Sequence, residues 1–379
     1  MWDPHLNPLV AGKTRLKIFL LPIPDFPGEL AGDMQSFKAV SVLLLAVLVA
    51  GNCGFPAKGD SEKKRVIDSP LLSSKIPSSH TIKVDLDGDG DFKSVQEAVD
   101  SVPEGNSDWV TIHVRAGVYR EKVIIPEKKP YIFLRGNGKG KTWIVWNDSG
   151  AKNETSESAT FAVYAPNFIA WGISFKNDAA VGTAGTPFNQ SVAALVGGDK
   201  SAFYHCGFYS SHNTLFDYKG RHFYESCYIQ GSIDFIFGRG QSLFLSNEVF
   251  VLAEKRSKIH GSITSQNRQG PDETSGFVFL KGRVYGVGYV YLGRVRSAHA
   301  RVIFAKTYLS KTIVPEGWSS WSFDGSPNPD KLLYGEYKCH GPGSDRTFRA
   351  TWSRQLNDTE VAPFLGIKFI NGKEWLPIY

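Results

Sequence analysis

The chain has 379 residues, of which 42% are hydrophobic, 13% aromatic and 21% charged, with 38 glycines. That hydrophobic share supports a sizeable core and excludes global disorder, and the excess of Gly and aromatics favours β-structure with many turns. The net charge of +6 suits an acidic polymer, but no dense Lys/Arg stripe of the kind that nucleic acid requires is present along the chain.

Taken in chain order, residues 1–33 are Pro-bearing and aperiodic, and read as an extension upstream of the true start. Met34-Gln-Ser-Phe-Lys38 then leads into the apolar run Ala39–Ala50. A basic residue, an apolar stretch and small residues predict a signal peptide over 34–53, too short to serve as a stable membrane anchor. Residues 54–79 are polar and read as a linker, and a single domain is expected over 80–379. The sequons at Asn147, Asn153, Asn189 and Asn357 agree with secretion. The cysteines are Cys53, Cys206, Cys227 and Cys339, and no CxxC metal pattern is present.

Asp85-Leu-Asp-Gly-Asp-Gly-Asp91 imitates the start of a calcium loop. Its twelfth position is Gln96, so a turn feeding a helix is the better reading. That helix is predicted over Ser94–Val102, with Ser94 and Glu97 as a capping box and Pro103 closing it. Short strands follow around Val110–Val114, Tyr131–Leu134, Thr142–Trp146, Phe161–Tyr164 and Phe168–Phe175, separated by turns. This is the signature of an all-β architecture.

A repeat defines the architecture further. His205–Phe216 superposes on Ser226–Phe237 at a constant offset of 21 residues, with Cys206 on Cys227, Leu215 on Ile236 and Phe216 on Phe237. Weaker echoes follow at Phe244–Phe250 and Phe277–Val284. Strand units with a period near 20 predict the stacked coils of a parallel β-helix. Stacking makes Cys206 and Cys227 neighbours, as a disulfide or as two reduced core thiols. It also places Asn213 beside Asp234.

The chemistry is sought at that pair. No GxSxG, HExxH or GxxxxGK[ST] motif is present, so serine hydrolase, zinc protease and nucleotide enzyme have no support. Gly231-Ser-Ile-Asp-Phe-Ile-Phe-Gly238 sets a carboxylate, Asp234, inside an apolar run, where it must be paired or used. Arg294, closing Tyr291-Leu-Gly-Arg294, is a candidate to orient it, and Gln190 is a candidate oxyanion donor. Each also has a structural reading, as a buried ion pair, a turn arginine and a strand glutamine.

These segments resemble the plant pectinesterase (pectin methylesterase) family. The likeness runs from about Asp85 to Trp375. It includes Gly117-Val-Tyr-Arg-Glu121, Gln190-Ser-Val-Ala193, Gly198-Asp-Lys-Ser201, Gly317-Trp318 and Tyr334–Cys339, besides the two segments around Asp234 and Arg294. The resemblance implies a single-stranded right-handed parallel β-helix with a short N-terminal helix, acting on methyl-esterified homogalacturonan in the cell wall after secretion. It implies no cofactor and no metal. It also implies a monomer whose partners are pectin and a pectinesterase inhibitor protein.

Carried over residue by residue, Asp234 is the nucleophile, Arg294 its orienting partner and Gln190 an oxyanion donor. Phe237 and Arg296 become substrate-binding candidates. The departure is at Asn213, which stands where the family has its acid/base aspartate; an amide is no proton donor near neutral pH. Three outcomes follow. His212 serves as a substitute acid or oxyanion donor, or the chain binds pectin without turnover, or esterase activity survives by another route. Arg296 replaces an aromatic, and Leu195 stands where an Arg is common. A pectate lyase or polygalacturonase is a further alternative for a secreted β-helix, but neither a calcium cluster nor a group of aspartates surrounds Asp234.

Overall fold

The computed structural model describes residues 69–76, 78–150, 154–179, 190–253, 261–321, 323 and 326–379. The expected extension, the signal peptide, Cys53, Asn153 and Asn189 lie outside the described residues. Three parallel sheets, one of eleven strands and two of eight, wind into a right-handed parallel β-helix. Each coil contributes one strand to each sheet in turn.

The 21-residue offset is the register itself. Phe208 pairs with Ile229, Leu215 with Ile236 and Phe216 with Phe237. In-register stacking turns identical residues into ladders. Phe203, Tyr224, Phe244, Phe279 and Phe304 stack through the interior with ring centroids 5.2, 4.6, 4.5 and 4.4 Å apart and planes within 9°. Such pairs add to burial through favourable ring contacts.

The predicted long strand Phe168–Phe175 is two strands, Phe168–Trp171 and Ser174–Asn177. Gly172 between them takes φ 65°, turning the chain from one sheet into the next. The short helix is Val95–Ser101, with Ser94 accepting from the Glu97 amide at 3.2 Å. Glu121 completes the cap: its carboxylate accepts from the Val95 and Gln96 amides at 2.8 and 3.0 Å. The acidic turn before this helix is held internally, since Asp85 accepts from Arg115 at 2.6 Å and from the Asp87 amide at 3.1 Å.

The expected linker 54–79 is shorter than predicted. Ser69–Lys75 is helical and Ser78–Val84 is the first strand. Leu72 and Ile76 are buried in an apolar cluster that lines the outer face of the eleven-stranded sheet with Phe133, Ile169, Phe223 and Ile303. The C-terminal residues Val361, Phe369, Ile370 and Leu376 cover the same face. A sheet buried on both faces needs apolar residues throughout, as in the strand Gly276–Leu280.

Cys206 and Cys227 are free buried thiols, not a disulfide. In-register neighbours on parallel strands project their side chains side by side at about 4.8 Å, wider than the roughly 3.8 Å between disulfide Cβ atoms. Instead, the Cys206 thiol donates to the Tyr204 carbonyl at 3.4 Å and Cys227 to the Phe203 carbonyl at 3.4 Å. Burial pushes the Cys227 thiol well up, which keeps it protonated and unreactive.

A buried polar knot sits under the coil that carries Phe216. Asp217 accepts from the Tyr224 hydroxyl at 2.8 Å and from Ser242 at 2.7 Å, and contacts His222 Nδ1 at 3.1 Å. Both Asp217 and His222 are fully buried.

Candidate active site

The second eight-stranded sheet, which holds Leu215–Asp217, Ile236–Gly238, Gly261–Gln266 and Val290–Arg294, positions the site. Its outward residues stack one per coil as Ile124, Ala162, Leu195, Phe216, Phe237 and Ser265. Phe216 and Phe237 lie face to face at 4.4 Å. This apolar stripe is the floor of a cleft. Around Leu195, Phe216, Tyr164, Tyr218 and the segment Glu154–Ser156 it opens into a depression of about 690 Å³. Phe237 continues the floor beyond that depression, toward Asp234.

Asn213 and Asp234 occupy the same place on successive coils, each two residues before a strand of this sheet. Both have left-handed backbones, with φ 56° and 44°. Asn and Asp tolerate that region better than most residues because their short side chains bond locally. The Asn213 amide donates to the Ile233 carbonyl at 3.2 Å, which fixes the two turns against each other. Asp234 is only 7% exposed.

Arg294 ends its strand two strands away from Ile236–Gly238. Its Nε lies 2.8 Å from both carboxylate oxygens of Asp234, and Nη2 donates to Oδ2 at 2.5 Å. Ser262, on the strand between them, donates its hydroxyl to Oδ1. A buried carboxylate is tolerable when charge and hydrogen bonds compensate it, and here both do. Arg294 is itself fixed. Trp321 lies over its guanidinium at 5.2 Å, and the Tyr334 hydroxyl donates to its carbonyl at 2.7 Å. Burial pushes the Tyr334 phenol up, so it stays a donor.

Gln190 precedes the strand Ala194–Val196 of the same sheet. The Thr155 hydroxyl donates to its Oε1, which leaves the amide nitrogen as its remaining donor. His212 is 2% exposed and pairs with Ile233 across the coils, while its carbonyl accepts from the Ser191 amide at 3.3 Å. Arg296 is exposed two residues past Arg294, and no contact among the described residues joins it to Asp234. Asn147 and Asn357 are exposed, and Asn357 caps a short helix by accepting from the Thr359 and Glu360 amides at 3.0 and 2.9 Å.

Reasoning from sequence brought Asp234, Arg294, Asn213 and Phe237 to one place but missed Ser262, Thr155 and Trp321. Ser262 follows Asp234 by 28 residues, whereas the recognised repeat has offset 21. The coil between them is longer, so the repeat gives no signal for it.

The geometry offers a fixed carboxylate, a neighbouring amide donor and an apolar, ring-floored cleft. That set suits attack on a neutral carbonyl held over the floor.

Comparison with known proteins agrees. The family model for pectinesterase matches residues 81–373. Probable pectinesterase 67 of Arabidopsis thaliana is 54% identical over 338 residues, covering 89% of this chain and 96% of that one. The pectin methylesterase from carrot is similar in structure, with a TM-score of 0.73 and 32% identity over 78% of this chain and 94% of that one. A pectin methylesterase solved in complex with a hexasaccharide shares the fold, with a TM-score of 0.67 and 22% identity over 80% of this chain and 99% of that one.

Proposed function

The chain belongs to the pectinesterase family of carboxylic ester hydrolases, and we propose that it removes methyl groups from homogalacturonan with Asp234 as nucleophile. The observation that carries this reading is the clamp on Asp234: Arg294 and Ser262 aim one buried carboxylate beside a floor of stacked rings.

In the reaction, an Asp234 oxygen attacks the ester carbonyl carbon, and the amide nitrogen of Gln190 donates to the developing oxyanion. The bond to the methoxy group breaks and leaves an acyl–Asp234 anhydride. Methoxide must then be protonated. Asn213 has no proton to give, so we assign that step to the imidazolium of His212, the residue before it. Water attacks the anhydride carbonyl and returns one proton to His212 as the bond to the Asp234 oxygen breaks; the products are methanol, the free Asp234 carboxylate and a galacturonic acid, which becomes a carboxylate by releasing the other water proton to solvent.

Asn213 itself favours a second reading, a pectin-binding protein without turnover. Methanol release from highly methyl-esterified pectin separates the two. The esterase reading expects release that Asp234→Asn abolishes. Release equal in wild type and in Asp234→Asn, or none in wild type with pectin binding retained, would refute it.

We propose secretion to the cell wall as the setting, with residues 34–53 as the signal peptide, in keeping with the plant relatives. Among the described residues no helix is long and apolar enough to cross a membrane. We further propose a monomer that is open to a pectinesterase inhibitor protein, with carbohydrate at the exposed Asn147 and Asn357.

A further inference from the structure

The other eight-stranded sheet, which does not hold Asp234, carries a ladder of rings on its outer face. Trp143, Tyr209, Tyr228, Phe250 and Tyr285 follow one another at centroid distances of 4.9, 5.1, 6.2 and 5.3 Å. Their strands span six coils of this sheet, about 24 Å at roughly 4.8 Å per coil. Trp143 and Tyr209 meet across an intervening coil because the chain keeps the space clear. A Cβ on Gly207 would fall 2.4 Å from the Tyr209 ring. All five rings are half-buried, so part of each faces solvent.

A column of cations stands at one edge of this sheet. At the corner where the eleven-stranded sheet turns into this one, Lys281, Lys306 and Lys338 stack on three successive coils. The Lys281 amide donates to the Ala305 carbonyl at 3.0 Å and the Lys306 amide to the Tyr337 carbonyl at 2.8 Å. All three lysines are exposed, and all have left-handed backbones, with φ 58°, 51° and 47°. Earlier coils place Ser226 and Ser246 at this corner, also left-handed.

Lysine gains nothing from that conformation, and like charges one coil apart repel. Lys338 pairs with Asp358 at 3.0 Å and lies over the Tyr337 ring at 4.8 Å, and Lys306 lies over the same ring at 6.0 Å. Lys281 and Lys306 make no ion pair among the described residues. Arg283, two residues past Lys281, lies over the Tyr285 ring at 5.1 Å and links column to ladder. Its charge is shared with Glu248 at 2.8 Å.

Rings suit the faces of sugars, and a row of ammonium groups suits carboxylates spaced along a chain. We propose that this face is a second polysaccharide site, separate from the cleft, that holds a de-esterified, polyanionic stretch of homogalacturonan. It would tether the protein to polymer already converted while the cleft works on methyl esters. The inference rests on the pectin reading for the identity of the polymer.

The test replaces all three corner lysines with serine, the residue that earlier coils already accept there. Binding to polygalacturonate and to fully methyl-esterified pectin is measured at low and high salt, with methanol release from a short methyl-esterified oligogalacturonide alongside. The triple variant should bind polygalacturonate about tenfold more weakly at low salt, with the log–log salt slope reduced by about 2, by analogy with other polyanions. Its binding to esterified pectin and its release of methanol should stay at the wild-type level. Tyr228→Ala, tested separately, should weaken polygalacturonate binding without changing the salt slope. Unchanged polygalacturonate binding in the triple variant, or no binding by wild type, overturns the proposal. Lysine-dependent binding without any methanol release would instead overturn the esterase reading and leave this one standing.

Discussion

Arg294 reaches across the strand Gly261–Gln266 to hold both oxygens of Asp234, 60 residues earlier in the chain. The planar fork of the guanidinium matches the carboxylate in a way that an ammonium does not. Arg294→Lys should therefore keep the charge yet lower the rate of methanol release by about 10²-fold, in the range by which small misplacements slow enzymes. KM should change little. A rate within twofold of wild type would remove Arg294 from the mechanism.

Ser262 supplies the remaining donor to Asp234. Ser262→Ala removes a neutral hydrogen bond, whose loss is worth about 1 kcal/mol. That corresponds to a rate change of about fivefold. The loss should fall on kcat, with KM little changed, because the hydroxyl aims the carboxylate and does not hold the substrate. Ser262→Thr, which keeps the hydroxyl, should restore the rate; an unchanged rate in Ser262→Ala would show that the hydroxyl only fills space.

Asn213→Asp places a titratable group beside Asp234. General acid–base groups contribute roughly 10²–10⁴-fold, so methanol release should rise by about 10² or more. His212→Ala in the wild-type background should remove the slow turnover, and in the Asn213→Asp background it should matter far less. Equal sensitivity to His212→Ala in both backgrounds would argue against its role as proton donor.

The knot around Asp217 is a matter of stability. With His222, Tyr224 and Ser242 all directed at one buried carboxylate, Asp217→Ala leaves three polar groups without their acceptor. Breaking such a buried set costs about 3–5 kcal/mol. Thermal unfolding should show a large fall in Tm. A shift of under two degrees would mean that water replaces the carboxylate.

The surface pair Asp199–Arg221 governs part of the pH response. Burial alone would raise the Asp199 carboxyl, but Arg221, with Nη2 at 2.6 Å, holds it below the ordinary value. A depressed carboxyl lends stability above its unfolded pKa, and that stability is lost as pH falls through the folded value. Denaturation midpoints should therefore drop on acidification below about pH 4. Asp199→Asn should lower the midpoint at neutral pH and flatten that dependence; an unaltered profile would show that the exposed pair is too screened to contribute.

The parts of the fold legible in the sequence were those repeated at constant spacing. Phe216 and Phe237 revealed the coil because two consecutive turns have equal length. Ser262 did not, because the next coil is longer. The lysine corner was invisible for the same reason: Lys281, Lys306 and Lys338 are far apart along the chain and converge only through unequal coils. The helix Ser69–Lys75 passed for linker because only Leu72 and Ile76 anchor it, too few to show a period. Asp234 stood out on chemistry alone, as one charge among Ile and Phe. The cysteine pair was placed correctly, but proximity in a parallel ladder does not give the geometry of a bond.

The long reach of the Asp234–Arg294 pair also orders events during synthesis. Neighbouring coils can zip together as each emerges, since their contacts span only about one repeat. Asp234 is then in place before its counter-charge has left the ribosome. A chain that stalls or is cut before Arg294 carries a buried carboxylate with no cation to answer it. The cation that compensates Asp234 thus arrives late, and a coil stack that ends before Arg294 is held less stable by that unanswered carboxylate.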